Sequence, residues 1–299
     1  MQETNFIQAF PGYEFKQNQA LSAYTNTRVG GPADWIFWPK NNDELREVVA
    51  YAHQADIPVT VLGNASNLII SDQGLTGLVI FLTELTELTV DTDAKTVTAA
   101  AGAAIIDVTQ FAYEHGLSGL EWAAGIPGSV GGAVYMNAGA YGGQVDHCLV
   151  GADVLTPDGE LKHYSNAELD FGYRHSAVQA TGEVIISATF ALENDDPAQI
   201  NARMEDFNER RASKQPLEYP SCGSVFKRPE GHFAGKLIMD SGLQGFQIGG
   251  AQVSTKHAGF IVNKGDATGA DYVAVIHHVQ DEVKAQYDIA LEPEVRILD

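Results

Sequence analysis

Two cysteines in 299 residues, Cys148 and Cys222, are too few and too far apart for a disulfide framework or a four-cysteine zinc site. A reducing cytoplasm is therefore the expected compartment. Long apolar runs are also missing: the longest plain one is LVIFL, residues 78–82, against the roughly 20 residues a membrane helix needs. The start, MQETNFIQAF, has neither a basic nor an apolar leader region, so no secretion signal is expected there. Basic residues are scarce, with 18 Lys and Arg against 39 Asp and Glu and a net charge of −21. That balance argues against broad nucleic-acid binding, which needs clustered cations. Neither G-x-G-x-x-G after a strand nor G-x-x-x-x-G-K-[ST] occurs, which removes the Rossmann and P-loop readings.

What is present suits a multidomain globular chain, since this length exceeds the roughly 100–200 residues of a typical domain. Residues 1–205 carry a net charge of −18 and residues 206–299 only −3. The last third can thus hold a small anion locally, and ordinary charge scatter is the equal alternative. NDELREVVAYAHQAD, residues 42–56, sets Leu45, Val48, Val49 and Ala52 on one helical face with Asn41 or Asn42 as its cap. PVTVLG and LVIFL follow as strands. VTAAAGAAIIDVTQFAYEHG reads as strand, small-residue turn and helix closed by Gly116. Short strand signals fill residues 150–192, and an acidic, Pro-containing linker then opens a polar helix. TGADYVAVIHHVQDEVKAQY is an amphipathic helix with Tyr272, Val275, Ile276, Val279 and Val283 on one face, and LEPEVRIL a terminal strand.

Two loops can bring backbone close to a ligand. VLGNASNLII runs from a strand into Gly63, Asn64, Ala65, Ser66, Asn67 and Leu68, a turn whose successive N–H groups can form an anion-binding nest. GIPGSVGGAVYMNAGAYGG holds seven glycines in nineteen residues, with a helix-compatible stretch after Pro127-Gly128. Each is open to a plainer reading, as a turn or a glycine-rich hairpin. A third stretch, EYPSCGSVFKRPEG, raises a hydrolase reading through Ser221, Cys222 and Ser224. It lacks the glycine two positions after the serine that G-x-S-x-G requires, and Cys222 has no motif around it.

In order, NTRVGGPAD, VLGNASNLIISDQG, GLEWAAGIPGSVGGAVYMNAGAYGG, YRHS, CGSVFKRP and LEPEVRIL resemble the UDP-N-acetylenolpyruvoylglucosamine reductase family, from about Asn26 to the C-terminus. The resemblance implies an α+β architecture: a two-lobed FAD-binding fold of the vanillyl-alcohol-oxidase (PCMH) type, lobes 1–81 and 82–205, with an α/β substrate-binding domain at 206–299. It implies NADPH-dependent reduction, through non-covalent FAD, of the enolpyruvyl ether on UDP-N-acetylglucosamine to UDP-N-acetylmuramate for peptidoglycan. It also implies flavin-cradling residues at Gly63 to Leu68, at Gly125, Ile126, Pro127, Gly128, Ser129, Gly131, Gly132 and Ala133, and at Asn137 and Gly139. The catalytic positions matched are Arg174, Ser224 and Glu294, and the substrate contacts Lys214, Lys227 and Arg228. No metal and no membrane or nucleic-acid partner is implied, and a monomer is expected. The family more often has glycine where this chain has Ala65. Passage from NAGAYGGQ straight to YRHS leaves no room for the tyrosine-bearing loop of longer members, as in the type II branch.

The chemistry asked of these residues is coherent. Hydride delivered to the terminal carbon of a polarised double bond leaves an enolate-like carbanion that needs charge stabilisation and a proton. Arg174 can hold the carboxylate and Ser224 can give the proton, aided by Lys227 or the helix-like AGKLIMDSG. Glu294 either orients the intermediate or acts as an acid. His257 is read equally as a ligand contact or a backbone-satisfied histidine. The adjacent pair His277 and His278 points about 100° apart on its helix, a poor metal site. A flavin oxidase of the same fold, or a binding module without chemistry, are the alternatives.

Overall fold

The computed structural model describes residues 6–299. The first half of the start sequence read above lies outside them. The chain forms two compact units, the first taking the stretches up to Gln17, Asp34–Asn64 and Thr76–Glu209, the second Asn18–Ala33, Ala65–Leu75 and Arg210–Asp299. Residue 81 lies inside the first unit.

The first unit holds a five-stranded antiparallel sheet in the order Leu161–Ser165, Leu149–Leu155, Val184–Ala191, Thr96–Ala100 and Leu88–Asp91. A four-stranded sheet adds a parallel pair, with Val59 opposite Leu78 and Leu62 opposite Phe81. Helix Asn42–Gln54 is capped by Asn41, whose side chain accepts the N–H of Glu44 at 2.9 Å, and buries Leu45, Val48, Val49 and Ala52. These four side chains are the face expected from the 3.6-residue period, and burial of that stripe is what fixes a helix of this length. Helix Ile105–Glu114 ends before Gly116, which takes φ 67°. Helix Pro197–Lys214 begins on proline, whose missing N–H costs nothing at a first helical position. It buries only Ile200 and Met204.

The second unit is built from separated segments. Ser221–Ser224, Phe260–Asn263, Ala251–Val253 and Gln247–Ile248 form an antiparallel sheet. Arg296–Leu298 pairs in parallel with Leu68–Ile70, which makes the expected terminal strand shorter than LEPEVRIL. Helix Gly269–Tyr287 starts in a capping box between Thr268 and Asp271 and buries the five predicted apolar side chains. With Cys222, Val225, Leu237 and Ile261, they form a core separate from that of the first unit. No helix among the described residues is long and apolar enough to cross a membrane.

Candidate active site

In the first unit the two glycine loops meet. A Cβ placed on Gly63 would lie 1.9 Å from Oγ of Ser129, and one on Gly131 would lie 3.0 Å from Cβ of Ala101. Glycine is therefore required at Gly63 for backbone approach. Ser129 is 2 % exposed and caps helix Val130–Tyr135, accepting the N–H of Gly132 at 3.3 Å. Gly128 and Ser129 are fixed to the strand-to-helix turn ahead of Ile105: Ile105 N–H donates to Gly128 O at 2.9 Å and Val130 N–H to Ala103 O at 2.9 Å. Gly125, Ile126 and Gly132 keep some exposure, whereas Ala133 is buried. The helix is shorter than the stretch the sequence allowed. It stops at Tyr135, and Asn137 turns left-handed at φ 41°.

That turn serves Arg174. The carbonyls of Asn137 and Gly139 accept from the Arg174 guanidinium at 3.4 and 3.2 Å. Arg174 is itself left-handed, φ 56°, a conformation costing on the order of 1 kcal/mol. Its carbonyl accepts from the side-chain amide of Gln179 at 3.1 Å. Asn137 is held from three sides. Its Oδ1 accepts the N–H of Asp146 at 3.1 Å, and its Nδ2 donates to Asp146 Oδ2 at 3.2 Å and Gly172 O at 3.1 Å. Sequence reading missed Asp146 and Gln179 because nothing local marks a residue that holds another residue's carbonyl in place.

In the second unit, Ala65 has φ 45° and is 5 % exposed. A left-handed backbone there explains why glycine suits the position and why Ala is accepted at modest strain. Among the described residues the main-chain N–H groups of Ala65, Ser66 and Asn67 have no protein acceptor. Open donors beside a glycine turn fit the diphosphate of FAD, so the residues present agree with the cofactor the resemblance implies. Asn67 Nδ2 donates to Glu294 O at 3.2 Å, and Asn67 O accepts from Arg296 N–H at 3.1 Å.

Glu294 and Ser224 come together through the intervening backbone. The N–H of Glu294 donates to the carbonyl of Val225 at 2.7 Å. Strand Ser221–Ser224 carries a bulge: Ser221 faces Val262 and Ser224 faces Phe260, while Gly223 takes φ 77°. An extra residue of this kind re-aims the next side chain, and Ser224 is exposed, with no hydrogen-bond partner for its hydroxyl among the described residues. A Cβ on Gly259 would lie 3.4 Å from Ser224 Oγ and 3.2 Å from His257 Nδ1, which places all three around one spot. His257 Nδ1 accepts the N–H of Gly259 at 3.1 Å. Burial, with the charge of Lys214 in the same direction and a backbone hydrogen bond opposing, lowers its pKa, and the ring is satisfied on that side by backbone.

Lys227, three residues after the serine, pairs with Glu292. Its Nζ lies 3.4 Å from Glu292, and its N–H donates to Glu292 O at 2.8 Å. The start of helix Ala234–Asp240 packs on the same turn, since a Cβ on Gly235 would be 3.3 Å from both His257 Cε1 and Gly259 N. Arg228 stacks on Phe233 at 4.0 Å, and Lys214 is exposed at the end of its helix. Cys222 is 3 % exposed, and burial pushes its thiol up to about 12. A thiol in that state is not a nucleophile. No group of three or more potential metal ligands occurs among the described residues.

Comparisons with known proteins bear on the family and the fold. A family model described as FAD binding domain matches residues 33–165, and one described as UDP-N-acetylenolpyruvoylglucosamine reductase, C-terminal domain, matches residues 215–298. The UDP-N-acetylenolpyruvoylglucosamine reductase of Limosilactobacillus fermentum is 56% identical over 298 residues, covering 100% of this chain and 99% of its own. That of Limosilactobacillus reuteri is 57% identical over 294 residues, covering 98% of each. The crystal structure of UDP-N-acetylenolpyruvylglucosamine reductase from Thermus caldophilus superposes with a TM-score of 0.82 at 34% identity, covering 97% of this chain and 100% of the other. The fold is accordingly an α+β FAD-binding fold of the vanillyl-alcohol-oxidase type followed by the reductase C-terminal domain. Likeness of this extent, running through both domains, means that the chain belongs to the UDP-N-acetylenolpyruvoylglucosamine reductase family and is an FAD-dependent oxidoreductase.

Proposed function

We propose that the protein reduces the enolpyruvyl ether of UDP-N-acetylglucosamine-enolpyruvate to UDP-N-acetylmuramate, with NADPH as reductant and Ser224 as proton donor. The observation that carries this reading is the bulged strand that exposes Ser224 beside the backbone of Glu294. When bound, FAD relays hydride from NADPH to the substrate's terminal carbon, turning =CH2 into CH3. The electron pair of the double bond moves onto the adjacent carbon and its carboxylate. Arg174, pre-oriented by the carbonyls of Asn137 and Gly139, holds that carboxylate as its charge rises. Ser224 Oγ–H then protonates the carbon, leaving an alkoxide that regains its proton from solvent. Glu294, fixed at its backbone by Val225 and Asn67, orients the intermediate.

Lys214, Lys227 and Arg228 meet the nucleotide phosphates, in the part of the chain where net charge is nearest zero. The functional division follows lobes 1–81 and 82–205 for the flavin and 206–299 for the sugar nucleotide. The protein works in the cytoplasm, as a monomer, on a precursor of the cell wall. The test is direct: the purified protein carries a yellow flavin absorbance, and its NADPH consumption depends on the enolpyruvyl sugar nucleotide. Absence of flavin, or consumption indifferent to that substrate, contradicts the reading. Rapid reoxidation of the reduced flavin by oxygen with an alcohol substrate would instead mark an oxidase.

A further inference from the structure

The second unit contains a cavity of about 400 Å³ that none of the residues assigned above lines. Its volume lies within the roughly 300–1,000 Å³ of small-molecule pockets. Arg28, Tyr219, Lys264 and Asp266 surround it, with Asn263 beneath. Asn263 is 7 % exposed and clamps the walls together. Its Nδ2 donates to Thr27 O at 3.0 Å, its Oδ1 accepts the N–H groups of Gly265 and Ala267 at 2.9 and 3.2 Å, and its own N–H donates to Pro220 O at 2.9 Å. The segments around Thr27, Pro220 and Asn263 are thus joined at one residue, by its side-chain amide and its main-chain N–H.

The charged side chains are not paired with one another. Among the described residues neither Arg28 nor Asp266 has a side-chain hydrogen bond or ion pair. Arg28 is held in the left-handed region at φ 56° by a turn in which its N–H donates to Thr25 O at 3.1 Å. Lys264 Nζ sits 3.7 Å from the centre of the Tyr219 ring, which fixes the ammonium at the wall. The lining is a local positive site in a chain of net charge −21. An arginine fork and a point-charge lysine suit an oxyanion, and an unpaired carboxylate beside them suits a hydroxyl donor on the same ligand.

We propose that this cavity binds a small phosphorylated polyol, its phosphate taken by Arg28 and Lys264 and a hydroxyl donated to Asp266. The test uses the full-length protein as purified, isotope-labelled, with amide resonances followed at constant ionic strength during titration with glycerol 3-phosphate, inorganic phosphate or glycerol. The expected result is saturable shifts at Lys264 and Gly265 with glycerol 3-phosphate, weaker binding of inorganic phosphate and none of glycerol. All three mutated side chains are exposed, so variants should stay folded. Arg28→Ala with Lys264→Ala should weaken glycerol 3-phosphate at least tenfold, and Asp266→Asn should narrow the gap between the two anions. Shifts that do not saturate, that persist in the double variant, or that fall only near Lys227 and Arg228 would overturn the proposal. Equal affinity for both anions would overturn the polyol assignment. The readout is independent of turnover, so it stands apart from the reductase reading.

Discussion

Gly63 and Ser129 stand so close that a Cβ on the first would fall 1.9 Å from Oγ of the second and 2.8 Å from its Cβ. Ser129 is buried and caps its helix, so it has no room to withdraw. Gly63→Ala should therefore cost about 1–3 kcal/mol by overpacking and lower the flavin retained per protein. Adding Ser129→Gly should return part of the stability. Thermal unfolding and the ratio of flavin to protein absorbance check both statements.

Asn137, whose carbonyl accepts from Arg174, is held through both its side-chain polar atoms by Asp146. Asp146 Oδ2 also accepts from Gln144 Nε2 at 2.8 Å, while Oδ1 is buried without a hydrogen bond. Asp146→Ala should lower kcat by about tenfold to a hundredfold, the scale of a misplacement near 1 Å, with flavin content unchanged. Asp146→Asn keeps an acceptor for Asn137 Nδ2 and should recover most of the loss. A purely structural role would instead lower flavin content and thermal stability in step with turnover.

Arg203 ties helix Pro197–Lys214 to Glu121 at 2.8 Å and to Ser118 at 3.2 Å. Burial works against the charge of Glu121, but main-chain N–H donors, Arg203 and Ser118 outweigh it, so its carboxyl lies below the usual range. Arg203, with the N–H of Asp196, also lowers Asp195. Carboxylates depressed in the folded state stabilise it above their unfolded pKa near 4, and that contribution is lost as pH falls through the lower folded values. Arg203→Ala should cost about 1–3 kcal/mol at neutral pH, less than a fully buried pair because the arginine is 39% exposed. The difference from the parent should shrink below about pH 4, as chemical denaturation across pH would show.

Cys222 has a thiol that is buried and held protonated. Alkylating reagents should label it only on unfolding, and Cys222→Ser should retain turnover while losing about 1–3 kcal/mol through a buried hydroxyl. Labelling rates against denaturant, with an activity assay of the variant, measure both.

Local order was legible where its causes are local. Asn41 and the stripe Leu45, Val48, Val49 and Ala52 lie within a few turns of one another, and so do Thr268, Asp271 and the apolar face that follows. The glycines of both loops announced close backbone approach, and the family motifs singled out Arg174, Ser224 and Glu294 as the catalytic positions proposed above. Long-range pairing was not legible. Nothing in LEPEVRIL shows that Arg296 will lie opposite Leu68, and nothing in CGSVF alone shows that Gly223 makes a bulge against Phe260. The same holds for the early end of helix Val130–Tyr135: its residues favour continuation, but the chain turns at Asn137 where Asp146, Gly172 and Arg174 supply better partners. Nor does the sequence reveal that Lys227 pairs with Glu292, 65 residues on.

The central claim is that Ser224 delivers the proton after hydride transfer, and rapid mixing of Ser224→Ala isolates that step. NADPH should bleach the flavin of the variant as fast as in the parent, while reoxidation of that flavin by the enolpyruvyl sugar nucleotide should slow by about 10²–10⁴. Reoxidation at the parental rate would contradict the account.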